Sequence, residues 1–398
     1  GIKVQGVALD LAALVQWKAG IVAKLTGGVA GLLEKNGVKV VLGRAKILDK
    51  GRVEVAGSAG KQVLPADTIV IATGSVPIEI PGFACDEDAV WSSTGALVPK
   101  RVPEHLVVIG GGYIGLELGI MYRKLGSRVT VIEATGSILP GQERDCVKVI
   151  ERSLKKSKID VLTEAKALGY ARSGGTTSVR IRGKTGEKVI ECDQILSTVG
   201  RKPYSAGLGL ENVGLTPDER GFLAVDAQRR TAVPNIYAVG DIAGQPMLAH
   251  KGSKEGLVAA GAIAGQKEVY DVRCVPAVIF TSPEMASVGL TEEQCKEQGI
   301  AIKTGQFPFA ASGRAMTLLD TAGCVKIIAD ARTDELLGVH MVGPDVTELI
   351  AEATLAIELG ATAEDIARTI HAHPTLPEAF MEAAEALHGM AVHIYQRH

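Results

Sequence analysis

The chain has 398 residues, and its 43 basic and 45 acidic side chains leave a formal charge of −2. A hydrophobic share of 46% with 22% charged residues excludes a disordered chain, and the lack of a basic surplus gives a nucleic-acid partner no electrostatic footprint. The longest uncharged run, the 12 residues from His105 to Leu116, falls short of the ~20 that a membrane-spanning helix needs.

The length implies two or three domains, each with its own core. In chain order, Leu14, Ile21, Leu25 and Leu32 recur at helical spacing, which predicts a helix over 11–35 closed by Asn36-Gly37. β-rich runs follow at 38–42, 52–55 and 68–72, then Thr73-Gly74-Ser75 and a stretch punctuated by Pro77, Pro81, Pro99 and Pro103 that reads as a linker. From His105 the pattern becomes strand, glycine turn, helix, strand, which is a parallel α/β unit. Strands alternate to Val199, a strand over 235–239 ends in Gly240-Asp241, and a helix is expected from about 252 to 264. From about Val275 the runs at 278–281, 325–329 and 337–342, with helices at 346–359 and 377–387, describe an α+β domain.

Six cysteines stand at 85, 146, 192, 274, 295 and 324, with no Cys-x-x-Cys pair and no metal-ligand spacing. They read as buried or surface thiols, and their sparsity fits a reducing compartment. No metal site is expected.

The sharpest motif is Gly110-x-Gly112-x-x-Gly115, directly after the apolar run His105–Ile109. Alone such a motif is weak. Here a helix follows, then the strand 128–132, then the acid Glu133, 23 residues after the first glycine. Gly110 allows the tight turn, Gly112 lets a pyrophosphate approach the backbone, and Gly115 lets helix and strand pack closely. The helix start offers unpaired N–H groups to phosphate. Glu133 can accept from ribose hydroxyls and repel a 2′-phosphate, so the expected cofactor is NAD rather than NADP.

Two further turns stay open on spacing alone. Thr73-Gly74-Ser75 and Gly240-Asp241 each follow an apolar strand, and each reads as an ordinary turn or as a group that binds a polyol chain. His373-Pro374 with Glu378 is equally double-sided. Thr375-x-x-Glu378 has capping-box spacing with Pro377 in the first turn, and the same carboxylate could orient an imidazole.

The runs G-G-G-Y-I-G-L-E-L-G at 110–119, T-V-G-R-K-P at 198–203, Y-A-V-G-D at 237–241, P-M-L-A-H-K-G at 246–252 and H-A-H-P-T-L-P-E at 371–378 resemble the dihydrolipoamide dehydrogenases. These are flavin-containing pyridine nucleotide-disulfide oxidoreductases, and the resemblance runs in order over the whole chain. It implies an α/β fold with Rossmann-like FAD and NAD domains, the FAD domain incomplete, plus an α+β C-terminal dimerisation domain. The implied division is an FAD-binding part at 1–102, an NAD domain at 103–230, a return to the FAD-binding region at 231–274 and a dimerisation domain at 275–398.

The resemblance further implies NAD on Gly110, Gly111, Gly112, Tyr113, Ile114, Gly115, Leu116 and Glu117, with Glu133, Ala167 and Gly200. FAD is implied on Thr73, Gly74 and Ser75, on Asp241, on Met247, Leu248, Ala249 and His250, and near Ala45. It makes His373 the general base, Glu378 its orienting partner and His371 a structural neighbour. A thiol is mostly protonated at neutral pH and only the thiolate attacks a disulfide, so a base beside it serves the reaction.

Implied partners are a second copy of the chain, whose dimer supplies the His in trans, and lipoyl domains of 2-oxo acid dehydrogenase complexes. Nucleic acid and membrane are not expected, and a cytoplasmic location is. The family's own opening strand–G-x-G-x-x-G–helix and Cys-x4-Cys are not among these residues. The cluster Thr26-Gly27-Gly28-Val29-Ala30-Gly31 sits inside a helical pattern and does not replace them. A lost N-terminal segment and weak flavin binding are therefore expected of this chain. Alternatives are another flavin disulfide reductase, disfavoured where NADPH-dependent by Glu133, or a non-catalytic remnant that binds NAD and dimerises.

Overall fold

The structure is a computed structural model that describes residues 1–174 and 176–396. The chain divides into two compact units. One comprises Gly1–Ile78, Leu97–Val102 and Gly200–Asp271, and the other Glu79–Ala96, Pro103–Val199 and Val272–His398.

In the first unit the long helix forms where its spacing predicts it, over Leu11–Lys35. Asp10 caps its start by accepting from the Ala13 N–H at 2.9 Å, and Asn36 closes its end. None of its residues is buried. A three-stranded antiparallel sheet follows, Arg44–Asp49, Arg52–Gly57 and Gly60–Pro65. The strand expected at 38–42 is displaced to Arg44–Asp49. Cross-strand pairing decides it: Arg44 to Asp49 register against Ala56 to Arg52, while Val38, Val40 and Leu42 stay exposed. Ile69–Ile71 pairs in parallel with Ile236–Ala238, and Ser75–Pro77 pairs antiparallel with Arg201–Pro203. Ile47, Ile69, Ile71, Leu210, Leu223, Ile236 and Ile242 form the core beneath these strands.

The second unit is built on a five-stranded parallel sheet in the order Val90–Trp91, Gln194–Ser197, His105–Ile109, Arg128–Ile132, Ile159–Leu162. Its strands are near-continuous apolar runs because helices cover the sheet. The Pro-punctuated stretch is not a simple linker. Its middle, Glu79–Ala96, belongs to this unit, where Phe83 and Val90 are fully buried and Val90–Trp91 supplies the edge strand. A three-stranded antiparallel sheet, Lys166–Ser173, Thr176–Gly183 and Gly186–Cys192, follows the parallel strands.

The chain then forms a five-stranded antiparallel sheet in the order Ala277–Ile279, Glu284–Gly289, Leu336–Gly343, Cys324–Asp330, Ile302–Pro308. The helices Val346–Leu359, Ala363–Arg368 and Glu378–Leu387 pack against it around Phe307, Phe309, Val339, Ile350 and Phe380. Gly305 is where the last helix crosses its strand. A Cβ there would lie 2.1 Å from the Ala383 carbonyl oxygen, so only glycine fits. On the same sheet Lys326 is buried, its Nζ 2.8 Å from Glu143, 2.6 Å from Asp145 and 2.7 Å from Glu292. That ammonium ties the helix Arg144–Lys156 of the parallel layer to the antiparallel sheet.

Candidate functional site

The G-x-G-x-x-G loop joins the strand His105–Ile109 to the helix Tyr113–Lys124. Gly110 turns at φ +105°, and a Cβ on it would meet the Thr198 carbonyl oxygen at 2.4 Å. Gly115 sits so close to the strand that its Cβ would meet the Gly110 carbonyl oxygen at 2.3 Å and Thr198 Oγ1 at 2.6 Å. Both glycines are demanded by the protein itself. Gly112 is different: a Cβ there would touch nothing within 4 Å, so its open face leaves room for a ligand against the backbone. This fits a dinucleotide pyrophosphate at the helix start.

Glu133 ends the neighbouring strand and is buried. One carboxylate oxygen accepts from the Gly111 N–H at 2.7 Å and the other from the Thr135 N–H at 2.7 Å. A carboxylate has about four acceptor sites, so room remains for ribose hydroxyls. Ala165 donates its N–H to the Glu133 carbonyl at 2.9 Å, which brings the strand start at Ala167 to the same end of the sheet. Of the other expected residues, Tyr113 is exposed and Ile114 half-buried, whereas Leu116 is part of the core. Glu117 accepts the Phe280 N–H at 2.8 Å, and burial raises its pKa. Gly200 lies in the first unit at φ +118°, its carbonyl accepting from the Ile78 N–H at 3.0 Å.

The first unit gathers most of the residues expected at a flavin. Ser75 Oγ donates to Asp241 Oδ2 at 2.5 Å and receives Arg201 Nε at 2.8 Å. Thr73 Oγ1 donates to the Tyr204 carbonyl at 2.7 Å, and the Tyr204 N–H returns to the Gly74 carbonyl at 2.9 Å. Thr73, Gly74, Ser75 and Asp241 thus converge just past the parallel strands Ile69–Ile71 and Ile236–Ala238. Met247 and Leu248 lead into the helix Ala249–Ile263, whose first turn holds Ala249 and His250. A buried network fixes this loop: Glu255 Oε2 accepts the Gly240 N–H at 2.7 Å, and Lys251 Nζ donates to the Gly244 carbonyl at 3.0 Å. Lys251 also pairs with Glu255 at 3.1 Å. An acceptor carboxylate beside a helix start suits a polyol–phosphate ligand, so the residues present fit this part of FAD. Ala45 lies on an exposed strand position paired with Val55. Sequence reasoning missed Arg201, Lys251 and Glu255, although a Lys and a Glu four apart on an otherwise small-residue helix face were a visible signal.

The histidines separate clearly. His373 Nδ1 lies 2.8 Å from Glu378 Oε1, and Glu378 Oε2 accepts the Thr375 N–H at 2.7 Å. Burial opposes ionisation of Glu378, yet the Thr375 N–H and His373 hold its carboxyl below the usual range. The capping box is only half formed. Thr375 Oγ1 donates to the Ala372 carbonyl at 2.5 Å instead of capping the helix, which starts at Glu378 itself. His371 has both ring nitrogens engaged, Nδ1 with the Thr369 carbonyl and Nε2 with Glu352, each at 2.8 Å. His373 is engaged through Nδ1, and its imidazole is largely exposed.

Residues 3–256 match the model of the pyridine nucleotide-disulphide oxidoreductases, and residues 275–384 match the dimerisation domain of the same family. The chain belongs to this family. Dihydrolipoyl dehydrogenase of Thermus scotoductus is 49% identical over 392 residues, which span 98% of this chain and 84% of the relative. The enzymes of that name from Geobacillus stearothermophilus and Haloferax volcanii are 48% and 45% identical, over 99% and 98% of this chain and 84% and 83% of the relatives. Among solved structures, LpdA of Mycobacterium tuberculosis superposes with a TM-score of 0.88 at 28% identity, covering 96% of this chain and 84% of that one. The HOCl-induced flavoprotein disulfide reductase RclA of Escherichia coli gives 0.88 at 29% identity, covering 94% and 85%. The family accounts for the expected fold, with Rossmann-like nucleotide-binding domains and a dimerisation domain. Its members are enzymes that use FAD and a pyridine nucleotide. Among the described residues no helix is long and apolar enough to cross a membrane.

Proposed function

We propose that this chain is a dihydrolipoyl dehydrogenase, with His373 as its general base and Glu378 as the residue that orients it. The observation that carries the site assignment is the 2.8 Å contact between His373 Nδ1 and Glu378 Oε1, in a carboxylate already anchored on the Thr375 N–H. When bound, FAD supplies the two-electron acceptor for the dithiol and NAD⁺ accepts the hydride. Thr73, Gly74, Ser75, Asp241 and the segment Met247–His250 are assigned to the first cofactor, with Ala45 near it. Gly110 to Glu117, Glu133, Ala167 and Gly200 are assigned to the second.

The chain's own part in the chemistry is proton handling. With Glu378 accepting at Nδ1–H, the imidazole presents Nε2 as a lone pair, the tautomer a base requires. Nε2 takes the thiol proton of dihydrolipoamide, and the thiolate that forms is the nucleophile. Glu378 then faces an imidazolium and stabilises it. The imidazole is three-quarters exposed, so it is open to a group brought from outside its own chain. We assign it to the site of a second subunit, with 275–398 as the dimerisation domain, 103–230 as the NAD domain, and 1–102 with 231–274 on the FAD side. The substrate is read as lipoyl groups on 2-oxo acid dehydrogenase complexes, and the location as cytoplasmic.

The test is a pair of steady-state assays in a chain that carries the family's Cys-x4-Cys. His373→Gln lowers dihydrolipoamide turnover by roughly 10²–10⁴-fold while NADH oxidation by an artificial acceptor survives. Equal loss of both activities overturns the assignment of the base.

A further inference from the structure

Two of the six cysteines, neither of them given a role above, share one apolar cluster. Cys146 lies in the first turn of the helix Arg144–Lys156, and Cys324 opens the strand Cys324–Asp330. They are 178 residues apart in the chain, yet both belong to this cluster and are 0% and 3% exposed. Lys326 fixes the approach. It is two residues beyond Cys324 on the same face of the strand, and its Nζ reaches Asp145, the neighbour of Cys146, at 2.6 Å. The Gln306 amide donates to Cys324 Sγ at 2.9 Å. The two sulfurs interact directly: that contact, and then burial, push the Cys146 thiol up, while the same contact pulls the Cys324 thiol down against its burial.

We propose that Cys146 and Cys324 form a dithiol site that closes to a disulfide when the protein meets a two-electron oxidant of the peroxide class, cross-linking the nucleotide-binding layer to the antiparallel sheet. The asymmetry of the pair sets the order of events. Cys324, with donors from Gln306 and Cys146, is the sulfur that attacks. It forms an S–O bond as the peroxide O–O bond breaks, releasing one water. Cys146 then attacks that sulfenic sulfur, the S–S bond forms and the S–O bond breaks, releasing a second water. Two thiols are oxidised, and one hydrogen peroxide is reduced to two waters. Burial slows the first step, and the adjacent thiol stops the oxidation at the reversible disulfide. The proposal does not depend on the roles given to His373 or Glu378.

The folded chain is treated with hydrogen peroxide, the peroxide is removed, and the protein is alkylated in denaturant and digested without reductant. The expected product is one cross-linked peptide pair holding Cys146 and Cys324, lighter than the sum by two hydrogens. Four alkylated cysteines then remain of the six, and a dithiol reductant restores all of them. In Cys146→Ser the sulfenic acid has no partner, so dimedone labels Cys324. Alkylation of both cysteines after peroxide, or a bond from either to a different cysteine, overturns the site. Absence of dimedone from Cys324 in that variant overturns the assignment of Cys324 as the attacking thiol.

Discussion

Glu378 divides its carboxylate between His373, held at Nδ1, and the Thr375 N–H, so one side chain serves both the imidazole and the backbone at the head of the last helix. Glu378→Gln keeps an amide oxygen for Thr375 but removes the charge opposite the imidazole. Dihydrolipoamide turnover should fall, by less than the roughly 10²–10⁴-fold loss of His373→Gln, with the melting temperature nearly unchanged. Glu378→Ala should lose turnover and stability together. A Gln variant with unaltered turnover would return Glu378 to a structural role.

The proposed preference for NAD over NADP rests on Glu133. Titration with NADH and NADPH should show the former bound more tightly. Glu133→Ala should weaken NADH by about 1–3 kcal/mol, the range for a lost charged hydrogen bond, and narrow the preference. Equal binding of the two by the unmutated protein would count against the reading.

Gly305→Ala places a methyl against the Ala383 carbonyl and the Leu387 backbone, neither of which can rotate away. The helix Glu378–Leu387 must lift from its strand, at a cost of about 1–3 kcal/mol. Chemical denaturation should report that loss. Because Glu378 heads the displaced helix, the turnover assay should register it as well.

The Lys326 cluster makes an acid-range prediction. Hydrogen bonding to Lys326 holds Asp145 below its ordinary range. Burial opposes the same shift at Glu143, but Lys326 still lowers it. Groups depressed in the folded state add stability above their unfolded pKa of about 4 and lose it as the pH falls through the folded value, so the protein should weaken below about pH 4. Lys326→Met reverses the sign. Glu143 is then buried without its cation and its pKa rises, so stability is lost as pH climbs from about 4 to 7. At neutral pH the cost should reach about 3–5 kcal/mol, less whatever the half-exposed Asp145 and Glu292 recover from water. Melts at pH 5 and pH 7 check it: a variant equally stable at both would show that the cluster carries no buried charge.

Much of this was legible in the residues. Strong periodicity located the helices 11–35 and 346–359 to the residue, and the motif 110–115 with Glu133 stands at one end of one parallel sheet. What the sequence hid was set by distant pairing. The strand expected at 38–42 moved because the hairpin partner at 52–57 fixed a later register, and prolines masked the edge strand Val90–Trp91, whose partner Ile195 is more than a hundred residues away. Spacing also left Glu378 undecided between cap and orienting group. It fills half of each simple description, because its second oxygen reaches Thr375 while the threonine hydroxyl turns elsewhere.

The two backbone N–H groups on Glu133 bear on any attempt to change cofactor. The usual exchange, acid to small neutral residue with an arginine nearby, would strip Gly111 and Thr135 of their acceptor and loosen the loop before any new phosphate contact formed. A route to NADP use therefore has to supply two acceptors: Gln at 133 has a single carbonyl oxygen and would keep one amide engaged, while its NH2 group would face the other N–H. The added cation at 134 or 135 follows only after the amide left without an acceptor has a new partner.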